Sequence, residues 1–301
     1  MLNGIHFLLT YKCNFGCDHC FLYCGPSANG VFTLQQLDEI MADAKKMETV
    51  DTIYFEGGEP FLYFPLLQAG IKSARKHGFS TGIVTNSYWA TSVDDAMLWL
   101  APLKEQGISY IGLSDDSFHY GTRIDTPPKN AYKACKLLGI DCDYFCIDEP
   151  KVKTKAENNS AKGEPIVGGN TVFKGRAVEK LIHGLPQKDW QGLRSCTREK
   201  LDAPNRVHID PYGNVHVCQG LIIGNVFEQP LSKLMKSFNA SSHPITGPLI
   251  EGGPALLAEE YHIPHRDRYV DECHFCYTLR KSLLDEFPQY LAPRQVYGLS
   301  N

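Results

Sequence analysis

With 301 residues, 43% hydrophobic and 21% charged, the chain is long enough for one large domain, or a medium one with an appendage, around a sizeable core. Its 30 basic and 34 acidic residues give a net charge of −4 with no long run of one sign, which disfavours nucleic acid and anionic membrane as partners. The start, "MLNGIHFLLTYKC", has neither a basic region nor a signal-length apolar stretch, and no apolar run approaches a membrane span, so a cytoplasmic protein without a membrane partner is expected.

In chain order, "GIHFLLT" (Gly4 to Thr10) reads as a buried strand. "FTLQQLDEIMADAKKM" reads as a helix, with Thr33 and Gln36 at capping-box spacing and Leu34, Leu37, Ile40, Met41 and Ala44 on one face. "DTIYFEG" (Asp51 to Gly57) is a second strand, and "PLLQAGIKSARKHG" a second helix between Pro65 and Gly78. "STGIVTN" is a third strand, followed by the helix "SVDDAMLWLAPLKEQG", with Ser92 as cap and Pro102 breaking or kinking its end. "SYIGLSDDSFH" is a fourth strand, "PPKNAYKACKLLG" a fourth helix and "IDCDYFCID" a fifth strand, while "TVFKGRAVEKLIHG" offers a sixth strand and a helix. This alternation predicts a parallel sheet with crossover helices, whose chemistry sits beyond the carboxyl ends of the strands. After about Leu185 the pattern changes: "RVHIDPYGNVHVC" is a hairpin around Asp210-Pro211-Tyr212-Gly213, then come a Gly/Pro-rich stretch, "CHFC" and an amphipathic helix near "YTLRKSLLDEF".

Cysteine is the unusual count. The eleven fall into groups: Cys13, Cys17, Cys20 and Cys24; Cys135, Cys142 and Cys146; Cys196 and Cys218; Cys273 and Cys276. In a reducing compartment such clusters read as metal or redox groups rather than staples. "YKCNFGCDHCFLYCG" (Tyr11 to Gly25) follows the first strand and offers three close thiols, Cys13-x3-Cys17-x2-Cys20. Three thiolates can hold a four-cornered iron–sulfur cube and leave one iron open. The alternatives are a zinc site completed by Cys24 or His19, and plain buried thiols.

This loop resembles the hallmark CxxxCxxC of the radical S-adenosylmethionine (radical SAM) superfamily, with Cys13, Cys17 and Cys20 at matching positions and His19 where an aromatic residue usually lies near the adenine. "GGEP" resembles the family's second motif, in which Gly57 and Gly58 admit backbone carbonyls close to the amino group of SAM and Glu59 supplies an opposite charge. Asn86, Ser114 and Asp115 stand at strand ends where the family contacts the ribose and carboxylate of SAM, and ordinary strand-end caps are the other reading. The resemblance implies a partial (β/α)6 TIM-like barrel over residues 1–185. It also implies a SAM-binding [4Fe–4S] cluster, S-adenosylmethionine, an external electron donor such as flavodoxin or ferredoxin, and hydrogen abstraction by a 5′-deoxyadenosyl radical.

Cys196, Cys218, Cys273 and Cys276, with Gly213-x4-Cys218 on the hairpin and "GNV" soon after, resemble the twitch/SPASM C-terminal extension of some of these enzymes. Residues 186–301 would then hold one auxiliary [4Fe–4S] cluster and a tail, with a zinc knuckle as the alternative. A fully thiolate-bound auxiliary cluster would take an electron, which favours an oxidoreductase acting on a small molecule. A maturase of ribosomally made peptides is the second reading, lowered because only twelve residues precede Cys13 and leave no leader-binding domain there. A non-catalytic zinc protein is the third. Cys135, Cys142 and Cys146 read as core residues, with Cys142 and Cys146 on one side of a strand. Asp116 and His119 read as substrate groups or caps, and Arg176 of "KGRA" as a group that steers an anion or, preferred, as a structural pairing.

Overall fold

The computed structural model describes residues 1–155 and 163–300. Strand β1 (Gly4–Thr10) is followed by helix α1 (Leu34–Ala44), β2 (Thr52–Gly57), α2 (Phe64–Lys76), β3 (Ser80–Thr85), α3 (Val93–Glu105), β4 (Tyr110–Leu113), a short α4 (Ser117–Tyr120), α5 (Pro127–Leu138) and β5 (Asp141–Tyr144). Local chemistry sets these boundaries. At α1 the capping box forms both ways: Thr33 N–H donates to Gln36 Oε1 (2.8 Å) and Gln36 N–H to Thr33 Oγ1 (3.2 Å). Ser92 caps α3, and Pro102 stays inside that helix, one turn after solvent-exposed Leu98. Gly78 takes φ +88° just beyond α2.

β1 to β5 pair in parallel and in sequence. Ile5, Phe7 and Leu9 are fully buried, and Phe7 packs on Phe32 and Phe55, whose ring in turn lies against Gly70 of α2. The alternate positions therefore face away from the helices: His6, Tyr54 and Glu56 line the inner face.

The expected strand at Thr171–Phe173 does not form. That segment is irregular, with Thr171 Oγ1 donating to the Asp148 carbonyl (2.6 Å) and Lys174 N–H closing a tight turn on the Val172 carbonyl (2.9 Å), before α6 (Arg176–Lys180). A hairpin of β6 (Lys151–Thr154) and β7 (Pro165–Gly168), not expected from the sequence, precedes it. After β8 (Lys188–Asp189) comes the predicted hairpin of β9 (Arg206–Ile209) and β10 (Asn214–Cys218). β9 lies parallel beside β1, so the sixth parallel strand joins the sheet next to the first rather than after the fifth. With β11 (Leu221–Asn225) the sheet has eight strands and runs without a break across the boundary expected near residue 185.

α7 (Leu231–Ser237) ties this part to the first helix, since Ser232 donates from both N and Oγ to Asp43 (2.8 and 2.9 Å). α8 (Thr246–Glu260) is interrupted at Gly252–Gly253. β12 (Arg268–Tyr269) pairs with β8. α9 (Glu272–Ser282), capped by Asp271, starts earlier than expected, so "CHFC" occupies its first turns. The tail "YLAPRQVYG" packs on the body, with Tyr297 fully buried. No described helix is long and apolar enough to cross a membrane.

Candidate active site

The loop after β1 is built on backbone bonds to its neighbours. Cys13 N–H donates to the Gly25 carbonyl (3.1 Å) and Cys20 N–H to that of Cys17 (3.1 Å). Asn86, at the end of β3, reaches into the loop: its Nδ2 donates to Asn14 Oδ1 (2.9 Å) and points at Cys13 Sγ (3.7 Å). Arg176 clamps the other side, donating from its two terminal nitrogens to the carbonyls of Cys17 (2.6 Å) and Cys24 (2.9 Å) and from its backbone to Cys20 (2.9 Å). The structural role expected for Arg176 is thus a specific one. Gly175 before it takes φ +58°, and a Cβ there would lie 2.6 Å from Phe21 Cα.

Burial pushes the Cys13 and Cys17 thiols up to about 12, and neighbouring thiolates push the same way. Cys20 moves down, chiefly because Cys24 donates a hydrogen bond to its thiolate, and Cys24 moves up for the same reason. Three close thiols on one loop, of which Cys13 and Cys17 resist ionising, match a site whose positive charge would come from bound iron. His19 Nδ1 is buried with no hydrogen-bond partner among the described residues, and burial lowers its imidazole to about 4. A cavity of about 590 Å³ opens against this loop, lined by Gly16, Cys17, Asp18, Ser117, Phe118 and His183 among others, a size fit for a cofactor.

"GGEP" is packed tightly on the same loop. Gly58 N–H donates to the Thr10 carbonyl (2.7 Å) and Glu59 N–H to that of Lys12 (2.9 Å), while a Cβ on Gly58 would sit 2.1 Å from the Lys12 oxygen. Glu59 is fully buried, and its carboxylate turns toward β3, accepting from Thr85 Oγ1 (2.8 Å), Asn86 N (2.8 Å) and Phe61 N (3.0 Å). Burial raises it to about 7 against the pull of those donors. The motif alone suggests a free carboxylate, whereas the structure spends it on holding Asn86 against the cysteine loop.

Ser114 is buried beside Thr85, and Asp115 lends its carbonyl to the Cys146 thiol (2.9 Å). β4 ends at Leu113, so "SFHY" is not strand but the short α4. Asp116 caps it through Phe118 N and His119 N and also bonds the His119 ring (2.7 Å). His19 packs on Phe118 at 4.5 Å and His119 at 5.2 Å between centroids. β5 ends at Tyr144, so Cys146 lies beyond the strand and does not share its face with Cys142, which sits against buried Cys135.

The second cysteine set converges. Cys196, Cys218, Cys273 and Cys276 line one narrow, largely apolar cavity, brought there by the loop before β9, the end of β10 and two successive turns of α9. Burial raises Cys273 to about 12 and Cys276 to about 11. Lys174 lines the same cavity with its Nζ 3.0 Å from Cys218 Sγ. Four thiols and a buried ammonium fit an anionic thiolate-bound metal centre.

One cluster escaped the sequence reading. On the inner face, Glu56 Oε1 lies 3.2 Å from His6 Nδ1 and 2.9 Å from His208 Nε2, and His6 stacks on Tyr54 at 4.7 Å. Glu56 is held below the usual carboxylate range: burial alone would raise it, but bonds from His208 and His6 outweigh that. Burial lowers His208.

Comparison with known proteins agrees with this geometry. Residues 7–137 match the model of the Radical SAM superfamily. The tungsten-containing aldehyde ferredoxin oxidoreductase cofactor-modifying protein of Pyrococcus furiosus is 32% identical over 109 residues, 36% of this chain and 29% of that protein. The S-adenosylmethionine-dependent nucleotide dehydratase of Selenomonas ruminantium is 34% identical over 86 residues, 29% of this chain and 30% of that one. The matches therefore span under a third of these relatives. The crystal structure of BtrN in complex with AdoMet and 2-DOIA is similar in fold, with a TM-score of 0.50 at 16% identity over 78% of this chain and 82% of that one.

Proposed function

We propose that the chain, whose residues 7–137 match the model of the Radical SAM superfamily, is a radical SAM enzyme that oxidises a small polar molecule by two electrons. Such a domain works with a [4Fe–4S] cluster and S-adenosylmethionine, which when bound supply a 5′-deoxyadenosyl radical able to take a hydrogen atom from substrate. Cys13, Cys17 and Cys20 would hold the cluster. Asn86 and Arg176 fix the loop from opposite sides, and Gly57 and Gly58 bring the end of β2 against it. His19 would offer its unpartnered nitrogen to the nucleoside.

The convergence of Cys196, Cys218, Cys273 and Cys276 on one cavity carries the oxidative reading. An auxiliary cluster held by those thiols would supply a one-electron acceptor. A substrate carbon that has lost hydrogen beside its hydroxyl would become a carbonyl by loss of one further electron and of the hydroxyl proton, the proton going to a base. The His6–Glu56–His208 group would serve the second half, with the His208 imidazole kept neutral by burial and oriented by the Glu56 carboxylate on the inner face. Barrel interiors are ordinarily filled by branched apolar side chains, so a polar inner face favours a polar substrate.

Iron and acid-labile sulfide tested on anaerobically purified protein decide the premise. About eight irons per chain are expected, falling to about four when Cys13, Cys17 and Cys20 are all replaced by Ala. Zinc at both sites would end this reading.

A further inference from the structure

One short segment touches both thiol sites. Arg176 binds the carbonyls of the first cysteine loop, while Lys174, two residues earlier, turns the other way to the second set. Lys174 is only 5% exposed, and its ammonium sits 3.0 Å from Cys218 Sγ. Arg280 lies on α9 at positions i+4 and i+7 from Cys276 and Cys273, on the same helical face. It is fully buried, donates from Nη1 to the Gln219 carbonyl (3.0 Å) and lies over the Tyr297 ring at 5.8 Å. Its Nε and Nη2 meet no oxygen or nitrogen acceptor among the described residues, and the thiols it faces are those of Cys276, within hydrogen-bonding reach, and Cys218.

Neither cation makes a contact ion pair with a carboxylate among the described residues, and Glu199 acts on Lys174 only from farther away. Two buried cations with no carboxylate in contact are expensive unless something anionic lies between them. Four thiolates around a four-iron, four-sulfide core carry a net charge of about −2, and about −3 after accepting an electron. The two fixed positive charges match the first state and favour the second. We propose that Lys174 and Arg280 raise the reduction potential of an auxiliary iron–sulfur centre held by Cys196, Cys218, Cys273 and Cys276, making it the electron acceptor of the pair. This rests on the auxiliary cluster proposed above, and net charge and burial are the levers by which a protein sets such potentials.

The test is an EPR-monitored redox titration of reconstituted protein in which Cys13, Cys17 and Cys20 are Ala, so that one centre reports, with iron and sulfide counted first. Lys174→Met and Arg280→Met should each make reduction at least tenfold less favourable, about 59 mV lower for a one-electron couple. Lys174→Arg should stay within threefold of the parent. Lys174→Gln keeps a donor toward Cys218 without the charge, separates charge from hydrogen bonding, and stays readable if the methionine variant loses iron. It too should fall tenfold. About four irons with an unchanged potential in the neutral variants overturns this inference alone, whereas absence of iron from the parent overturns the auxiliary cluster itself.

Discussion

Replacing Arg176 by Met leaves an aliphatic stem to pack over Tyr23 but removes the guanidinium that bonds the Cys17 and Cys24 carbonyls. A hydrogen bond to a charged group contributes about 1.5–3 kcal/mol, so the two together contribute about 3–6 kcal/mol. Cys17 is half-buried and its carbonyl can regain water, whereas Cys24 is buried. The lower end therefore applies, about 3 kcal/mol, or about 100-fold in the population of the ordered loop. With Cys273 and Cys276 replaced by Ala, so that the first site reports alone, the chelator concentration that strips half the iron should drop by about that factor. Arg176→Lys, keeping the charge but reaching one carbonyl, should fall between. Iron retention within threefold of the parent, in a variant with unchanged circular dichroism, would refute the clamp.

Gly58→Ala places a methyl 2.1 Å from the Lys12 carbonyl oxygen, so the β2 end must move away from the cysteine loop. A loss of about 3 kcal/mol in urea unfolding is expected, and a loss below about 1 kcal/mol would mean the contact yields freely. Glu56 and His208 both ionise at lower pH than usual when folded, so their neighbourhood favours the more deprotonated state. Their contributions are therefore complete above the ordinary values of 6.5 for histidine and 4.5 for glutamate, and fade as pH falls below each. The stability gap between parent and Glu56→Gln should shrink below pH 4.5, and a gap independent of pH would contradict the hydrogen-bonded carboxylate. Cys273→Ala should leave SAM cleavage largely intact while product formation stops, and normal turnover in that variant would remove the electron-acceptor role of the second site.

The helices were legible because their ends carry their own instructions: Thr33 with Gln36, Ser92 with Asp95, and Gly78 past α2 all act over a few residues. The first cysteine loop was legible because its three thiols lie close enough in sequence to share one loop. The second set was found through its hairpin and count, although three separate elements deliver it. What stayed hidden depends on tertiary placement. His6 and Glu56 are 50 residues apart, and His208 reaches them only because β9 lies beside β1. A motif names Glu59 but not the direction of its oxygens, which follows from the donors β3 presents. Thr171–Phe173 had a strand's composition, yet its neighbours gave it turn bonds instead of a ladder.

Anaerobic incubation of the reconstituted protein with a strong one-electron reductant and S-adenosylmethionine puts the whole account at stake. Formation of 5′-deoxyadenosine and methionine, abolished by Cys13→Ala, Cys17→Ala or Cys20→Ala, is the predicted result. Iron-loaded protein that leaves S-adenosylmethionine uncleaved, or cleavage that survives loss of those thiols, would contradict it.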